Sequence, residues 1–261
     1  MQTPINPLKQ ALAEGRPQIG FWLSMASTVS AEICASAGFD WLVIDAEHGP
    51  QSLPGVMAQL QAIAPWPTHP IVRVPSSDPV AIKGFLDLGA QSLLVPMVET
   101  AEQAAGVVDA ARYPPAGSRG IGGARAARWG RYPRYVHEAN AQICLIVQVE
   151  TVQALGNIEA IAAIDGVDAL FVGPADLAAS MGHVGKPNHP DVLAAALGAF
   201  ARIRAAGRAA GILTRDEQFA RRSIEAGALI VGVGLDTLNL AAQTAALADR
   251  FKTVQDPPRS G

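Results

Sequence analysis

Four stretches of this sequence place reactive side chains where an apolar run ends. In "CLIVQVET", residues 144–151, Gln148 and Glu150 share one side of a strand and Val147 and Val149 take the other, because strand side chains alternate with period two. "VIDAEHGP" carries Asp45, Glu47 and His48, "IVRVP" holds Arg73 between two valines, and "FVGPADL" leads to Asp176. Glu150 and Asp176 together offer hard oxygen ligands to a divalent cation. They leave coordination positions for water and for a chelating substrate such as a 2-oxo acid. The plainer reading of the same pair is two acids at helix starts.

His48 is a candidate base, since an imidazole exchanges protons near neutral pH and a neighbouring carboxylate fixes its tautomer. A loop histidine satisfied by Asp45 or solvent is the alternative. Arg73 points away from the side that Val72 and Val74 take, and a buried guanidinium needs an anion. A developing enolate or alkoxide oxygen would serve, and so would an ion pair with Asp45 or Glu47. The lysines are Lys9, Lys83, Lys186 and Lys252, and none lies on a predicted strand. A Schiff-base mechanism therefore lacks its nucleophile, and a metal is the electron sink left for carbanion chemistry.

Positioning these groups together is the task of the elements around them. Short β-branched runs recur as "IGFWLSM", "WLVIDAE", "PIVRVP", "SLLVPMV", "ICLIVQVE", "ALFVGP", "AAGILT" and "LIVGVG". Most precede helix-like stretches opened by Asp or Thr and closed by Gly, such as "DPVAIKGFLDLG" and "TAEQAAGVVDAARY". Near-continuous apolar strands alternating with helices predict a parallel sheet covered by helices, and eight such units predict a (β/α)8 TIM barrel spanning 1–261 as one domain. A doubly wound open sheet would need a Gly-rich turn after its first strand. "LSMAST" stands there instead, which also argues against a nucleotide cofactor. Closure of the barrel would gather the ends of strands two, three, five and six around one mouth.

Net charge −3 and pI near 5.9 give no general attraction to nucleic acid or anionic membrane. The basic segment "GSRGIGGARAARWGRYPRY" then reads as a loop that covers the mouth, meets a neighbouring subunit or attracts an anionic substrate. The first residues lack a signal-peptide core and no run approaches the roughly 18 apolar residues of a membrane span, so a cytoplasmic protein is expected. Cys34 and Cys144 read as buried thiols. "VGVGLDT" could hold phosphate at a helix start, although tight packing alone explains its glycines.

The motifs "AGFDWLVIDAEHGP", "LLVPMVET", "RYPPAGSRGIG", "QVET" and "VGPADLAASMG", in this order, resemble the metal-dependent class II pyruvate aldolases of the HpcH/HpaI type, especially those acting on 4-hydroxy-2-oxoheptanedioate. The resemblance implies a barrel that assembles as a homohexamer and uses Mg2+, Mn2+ or Co2+. It also implies reversible cleavage of a 4-hydroxy-2-oxo acid to pyruvate, or hydroxypyruvate, and an aldehyde. Carried over, His48 matches the base, Arg73 the transition-state arginine, and Glu150 and Asp176 the metal ligands. Gln148 matches a substrate-binding glutamine, Ala175 and Asp176 the turn that receives the substrate carboxylate, and Asp87 an aspartate that raises the histidine's basicity. Trp22 and Leu213, at the ends of strands one and seven, are expected to shape the outer pocket. The closing segment "DTLNLAAQTAALADRF" is expected to pack on a neighbouring subunit. 2-Dehydro-3-deoxyglucarate and hydroxypyruvate aldolases are close alternatives. A coenzyme A-dependent citrate lyase-type enzyme and a barrel that only binds oxo acids are more distant ones.

Overall fold

The computed structural model describes residues 1–252. Eight parallel strands close into a barrel in sequence order. They are β1 (Gln18–Leu23), β2 (Trp41–Asp45), β3 (His69–Arg73), β4 (Ser92–Val95), β5 (Cys144–Val149), β6 (Ala169–Val172), β7 (Ala209–Leu213) and β8 (Ala228–Leu235). Each falls on one of the eight predicted runs. A helix precedes them, α1 (Pro7–Ala13), and others follow each strand: α2 (Thr28–Ala35), α3 (Leu53–Ile63), α4 (Pro79–Asp87), α5 (Ala101–Ala111), α6 (Tyr135–Gln142), α7 (Val152–Gly156), α8 (Ile158–Ala162), α9 (Pro174–Ser180), α10 (Pro190–Ala205), α11 (Glu217–Glu225) and α12 (Asp236–Lys252).

The start and stop signals work as read. Asp78 accepts from Val80 and Ala81 N–H to cap α4, Thr100 and Gln103 form a reciprocal capping box on α5, and Asp216 caps α11. Gly89 and Gly227 end α4 and α11 with φ of 94° each, a left-handed turn that a side chain would strain.

Period two divides the core into two. Outward residues such as Leu42, Ile44, Val72, Leu93, Val147 and Leu170 pack against the helices. Inward residues Trp22, Trp41, Val43, Ile71, Leu94, Ile146, Phe171 and Ile230 fill the barrel. The Trp41 indole fits because β1 offers Gly20 beside it; a Cβ there would stand 2.0 Å from the ring. Leu8 and Leu12 of α1 join this inner cluster and close the barrel at the strands' amino ends. No sequence expectation identified that closure.

The closed end is held by polar side chains with full sets of partners. Asn6 is 1% exposed, and its amide donates to Gln91 O, Ser92 Oγ and Gln142 O at 3.2, 3.0 and 3.0 Å. Lys9 Nζ donates to Ile143 O at 2.7 Å and pairs with Asp168 at 3.0 Å. His69 Nε2 lies 2.8 Å from Ser92 Oγ. Lys9 is thus spent at the base of the barrel, as the absence of a strand lysine anticipates. Among the described residues no helix is long and apolar enough to cross a membrane.

Candidate active site

At the other end the strands open on a cavity of about 530 Å³, lined by Trp22, His48, Arg73, Gln148, Glu150, Ala175, Asp176 and Leu213 among others. Eight of the nine sequence-predicted site residues therefore meet there, from β1, β3, β5 and β7, from the segments just after β2 and β5, and from the first turn of α9. Another hollow of about 600 Å³ lies between the N-terminal segment and α6, away from the strand ends.

Arg73 takes the ion-pair arrangement among its sequence readings. Its Nε and one terminal nitrogen donate to the two Asp45 oxygens at 2.9 and 2.6 Å, and the other terminal nitrogen lies 2.8 Å from Glu47 Oε2. The Trp22 ring lies beneath the guanidinium, 5.4 Å from Cζ to centroid. Two of its five N–H groups are spent on Asp45, which fixes the plane of the fork; the Glu47 contact is an ion pair without hydrogen-bond alignment, so three N–H groups are left for a ligand. Burial alone would raise the Asp45 pKa, but hydrogen bonds and charge from Arg73 hold it below the usual carboxylate range. Glu47 goes the other way: burial raises it, against the pull of Arg73 and His48 and with the push of Asp45 and Asp176.

Glu150 lies just past β5, 2% exposed. Its Oε1 accepts Met97 N–H at 2.8 Å and its Oε2 accepts Gln148 Nε2 at 2.7 Å. Burial drives its pKa up to about 7, and Asp176 and Glu47 add repulsion that Met97 and Arg73 only partly oppose. Two features of the backbone accommodate this carboxylate. Gly173 leaves the space it occupies, since a Cβ there would lie 2.3 Å from Oε2. Met97 adopts φ 56°, a left-handed conformation costly for a side-chain-bearing residue, and so aims its N–H at Oε1. Met97 was not predicted; its only sequence signal is Pro96 ending β4 early.

Three carboxylates thus surround one mouth, and Glu150 is destabilised in its charged form there. Gln148 Oε1 is buried with no hydrogen-bond partner. An orphaned amide oxygen beside repelling carboxylates fits a hard divalent cation. His183, His189 and Asp191 form a different cluster after α9. There the two rings stack at 3.6 Å and 13°, so their in-plane lone pairs cannot converge on one ion.

Asp87 is the exception among the predicted residues. It ends α4, which runs from the mouth back toward the base, and its carboxylate accepts from Arg119 at 2.9 Å. His48 has Glu47 as its nearest carboxylate partner, 3.9 Å away. Within the chain, then, Asp87 does not support the histidine. The first arginines of the basic segment do not cover the mouth. Arg119 is fully buried over the Tyr113 ring and Arg125 donates to Leu88 O, so these arginines hold the connection against the end of α4, away from the mouth. The start of α12 is not a phosphate site. Asp236 fills it, accepting from Ser24 and Met25 N–H and from Ser30 Oγ.

A polar mouth on an apolar barrel is common to many unrelated enzymes, so sequence comparison has to choose among them. Residues 18–242 match the family model for HpcH/HpaI aldolase/citrate lyase. A 4-hydroxy-2-oxovalerate aldolase of Rhodococcus jostii is 61% identical over 97% of this chain and 99% of its own length. A 4-hydroxy-2-oxo-heptane-1,7-dioate aldolase of Klebsiella pneumoniae is 57% identical over 94% of each. Among solved structures, an HpcH/HpaI aldolase/citrate lyase family protein from Burkholderia cenocepacia superposes with a TM-score of 0.91 at 44% identity, covering 95% of this chain and 99% of its own. With the barrel, its oxygen-lined mouth and these relatives in agreement, the chain belongs to the HpcH/HpaI aldolase/citrate lyase family and is a carbon–carbon lyase.

Proposed function

We propose that the protein is a divalent-metal-dependent aldolase that reversibly cleaves 4-hydroxy-2-oxo acids to pyruvate, or hydroxypyruvate, and an aldehyde. The single observation that carries the reading is Glu150: a buried carboxylate pushed to about 7 beside Asp176 and the orphaned Gln148 oxygen, a setting that a cation would relieve. Glu150 and Asp176 would hold the ion, which supplies Lewis-acid polarisation of the 2-oxo group. The all-oxygen donors suit Mg2+, Mn2+ or Co2+.

The chain's own residues would do the rest. His48 accepts the proton of the 4-hydroxyl group as the bond between carbons 3 and 4 breaks. The unspent N–H groups of Arg73 would donate to the oxygen on which negative charge grows, with the guanidinium held by Asp45 and Glu47. Gln148 orients the 2-oxo acid, and the Ala175–Asp176 turn offers backbone N–H groups to its carboxylate. Trp22 and Leu213 wall the aldehyde side. We assign Asp87 no role within its own chain.

An oligomer, a hexamer if it follows the resemblance, is supported by α12. After Asp236 none of its residues is buried, and Leu240 and Phe251 are 55% and 69% exposed. The relatives divide between a five-carbon and a seven-carbon dicarboxylic aldol, so the acceptor is either acetaldehyde or a longer ω-carboxy aldehyde. The test is pyruvate release from a panel of 4-hydroxy-2-oxo acids, with chelator, with restored metal, and with borohydride. Release that stops on chelation, returns with metal and resists borohydride is expected. Full activity after chelation, or a reduced lysine adduct, would sink the mechanism.

A further inference from the structure

We infer that Arg215, with Thr214 and Asn188, binds an anionic group, carboxylate or phosphate, at the far end of the aldehyde half of the substrate; the inference rests on the aldolase reading. These three residues line the same cavity as Glu150 and Asp176. Hydrogen-bond accounting separates them from everything else there. Arg215 makes no hydrogen bond and no ion pair with any described residue, whereas Arg73 has two N–H groups committed to Asp45 and an ion pair with Glu47. Thr214 Oγ accepts Asp216 N–H at 3.2 Å, so its own hydroxyl hydrogen is unspent. The Asn188 amide has no partner among the described residues either. One part of the mouth therefore holds acceptors crowded together, and another holds donors with nothing to donate to.

Arg215 is exposed, yet its backbone is fixed on both sides. Thr214 N–H donates to Gly232 O at 3.0 Å, tying the segment to β8. One residue after Arg215, Asp216 caps α11 through Phe219 N–H at 2.9 Å. The guanidinium thus starts from a set point at the rim. Apolar Leu213, Phe171 and Leu193 line the cavity too, a surface suited to methylene groups and unsuited to a charge. A volume of about 530 Å³ leaves room for an acceptor well beyond two carbons. An anionic acceptor entering a mouth that holds Glu47, Glu150 and Asp176 needs a compensating cation, and Arg215 supplies a planar fork for it.

The experiment measures pyruvate release, at saturating Mn2+, from three synthetic aldols. One is the pyruvate adduct of a four-carbon ω-carboxy aldehyde, one that of its neutral primary amide, and one that of glyceraldehyde 3-phosphate. Arg215→Ala is expected to lower kcat/KM roughly ten- to a hundredfold on an anionic adduct, chiefly through KM, and to leave the amide adduct within about twofold. Arg215→Lys should recover part of the loss. Wild-type KM for the same anionic adduct should rise with NaCl while that for the amide stays flat. A larger loss on the phosphate adduct than on the carboxylate assigns phosphate as the anion, and the reverse assigns carboxylate. Equal effects on charged and neutral adducts, or none, would overturn the anion subsite while leaving the aldolase intact. No pyruvate from any adduct with wild-type enzyme would overturn the aldolase reading and the subsite with it.

Discussion

The two ends of this barrel are made by the same eight strands and carry the same kinds of polar side chain, with opposite bookkeeping. At the base, Asn6, Lys9, Asp168, His69 and Ser92 hydrogen-bond to one another or to nearby backbone and side-chain groups, and Leu8 and Leu12 of α1 cover the apolar interior beside them. At the mouth, Gln148 Oε1 has no partner and burial pushes the Glu150 pKa up to about 7. Buried polar groups that are satisfied hold a fold together, and those left unsatisfied hold free energy that a ligand can release. The difference separates the residues that make the barrel from those that use it. It predicts that substitutions at the two ends should move different observables.

The largest effect belongs at the mouth. Glu150→Ala removes an oxygen ligand, and should lower pyruvate release by about a thousandfold or more and weaken metal binding in calorimetry. Its metal-free stability should stay within about 1 kcal/mol of wild type, because the lost hydrogen bonds are offset by relief of a buried, repelled charge. A variant that binds metal normally, or that unfolds, would erase the contrast. Arg73→Lys comes next. Lysine keeps the charge but cannot bridge Asp45 and Glu47 while presenting further N–H groups. The rate should fall by roughly 2 to 4 kcal/mol in transition-state terms with metal affinity unchanged. Near-wild-type turnover would reduce Arg73 to an ion-pair partner.

Asn6→Ala sharpens the other side. It strips the closing corner of an amide with three acceptors around it, and should cost about 2 to 3 kcal/mol in urea unfolding while kcat holds. A fall in kcat at unchanged stability would mean that the base is coupled to the chemistry after all.

The mouth was more legible in the sequence than the base, for a physical reason. Gln148, Glu150 and Arg73 interrupt or end apolar strands, so a period of two is enough to aim them inward, and barrel closure gathers them with Asp176 in the first turn of α9. Asn6 and Lys9 sit in the short polar stretch "INPLKQ", where only the tertiary fold brings Gln91, Ser92 and Gln142 within reach. Met97 was hidden for another reason, since its contribution is a backbone N–H at φ 56°, and no residue type announces that. Asp87 shows the converse case. A motif position was legible, but its helix carries it away from the mouth of its own chain, toward Arg119. Arg215 is exposed and flanked by ordinary loop residues, and it became informative only when every neighbour's hydrogen bonds had been counted.

The smallest expected effect tests the base by pH. His69 is buried beside Ser92, and burial lowers its pKa from 6.5 to about 4. The unfolded chain therefore binds a proton that the folded chain refuses throughout the interval between those values. Above pH 6.5 both states are neutral at this site and His69 costs nothing. As pH falls from 6.5 toward 4, the unfolded state gains the proton first and stability drops. From pH 7.5 to 5 the loss from this one group should be about 2 kcal/mol. His69→Gln keeps an amide that can bond Ser92 but does not titrate. Comparing urea midpoints of the two proteins, both metal-free, at pH 7.5 and pH 5 isolates the term, because Glu150 and every other titrating group is common to both. If the wild-type and His69→Gln curves fall in parallel, the base accommodates an imidazolium. Its polar groups would then be less completely closed off than those contacts imply, and the contrast with the mouth would be one of ligand geometry alone.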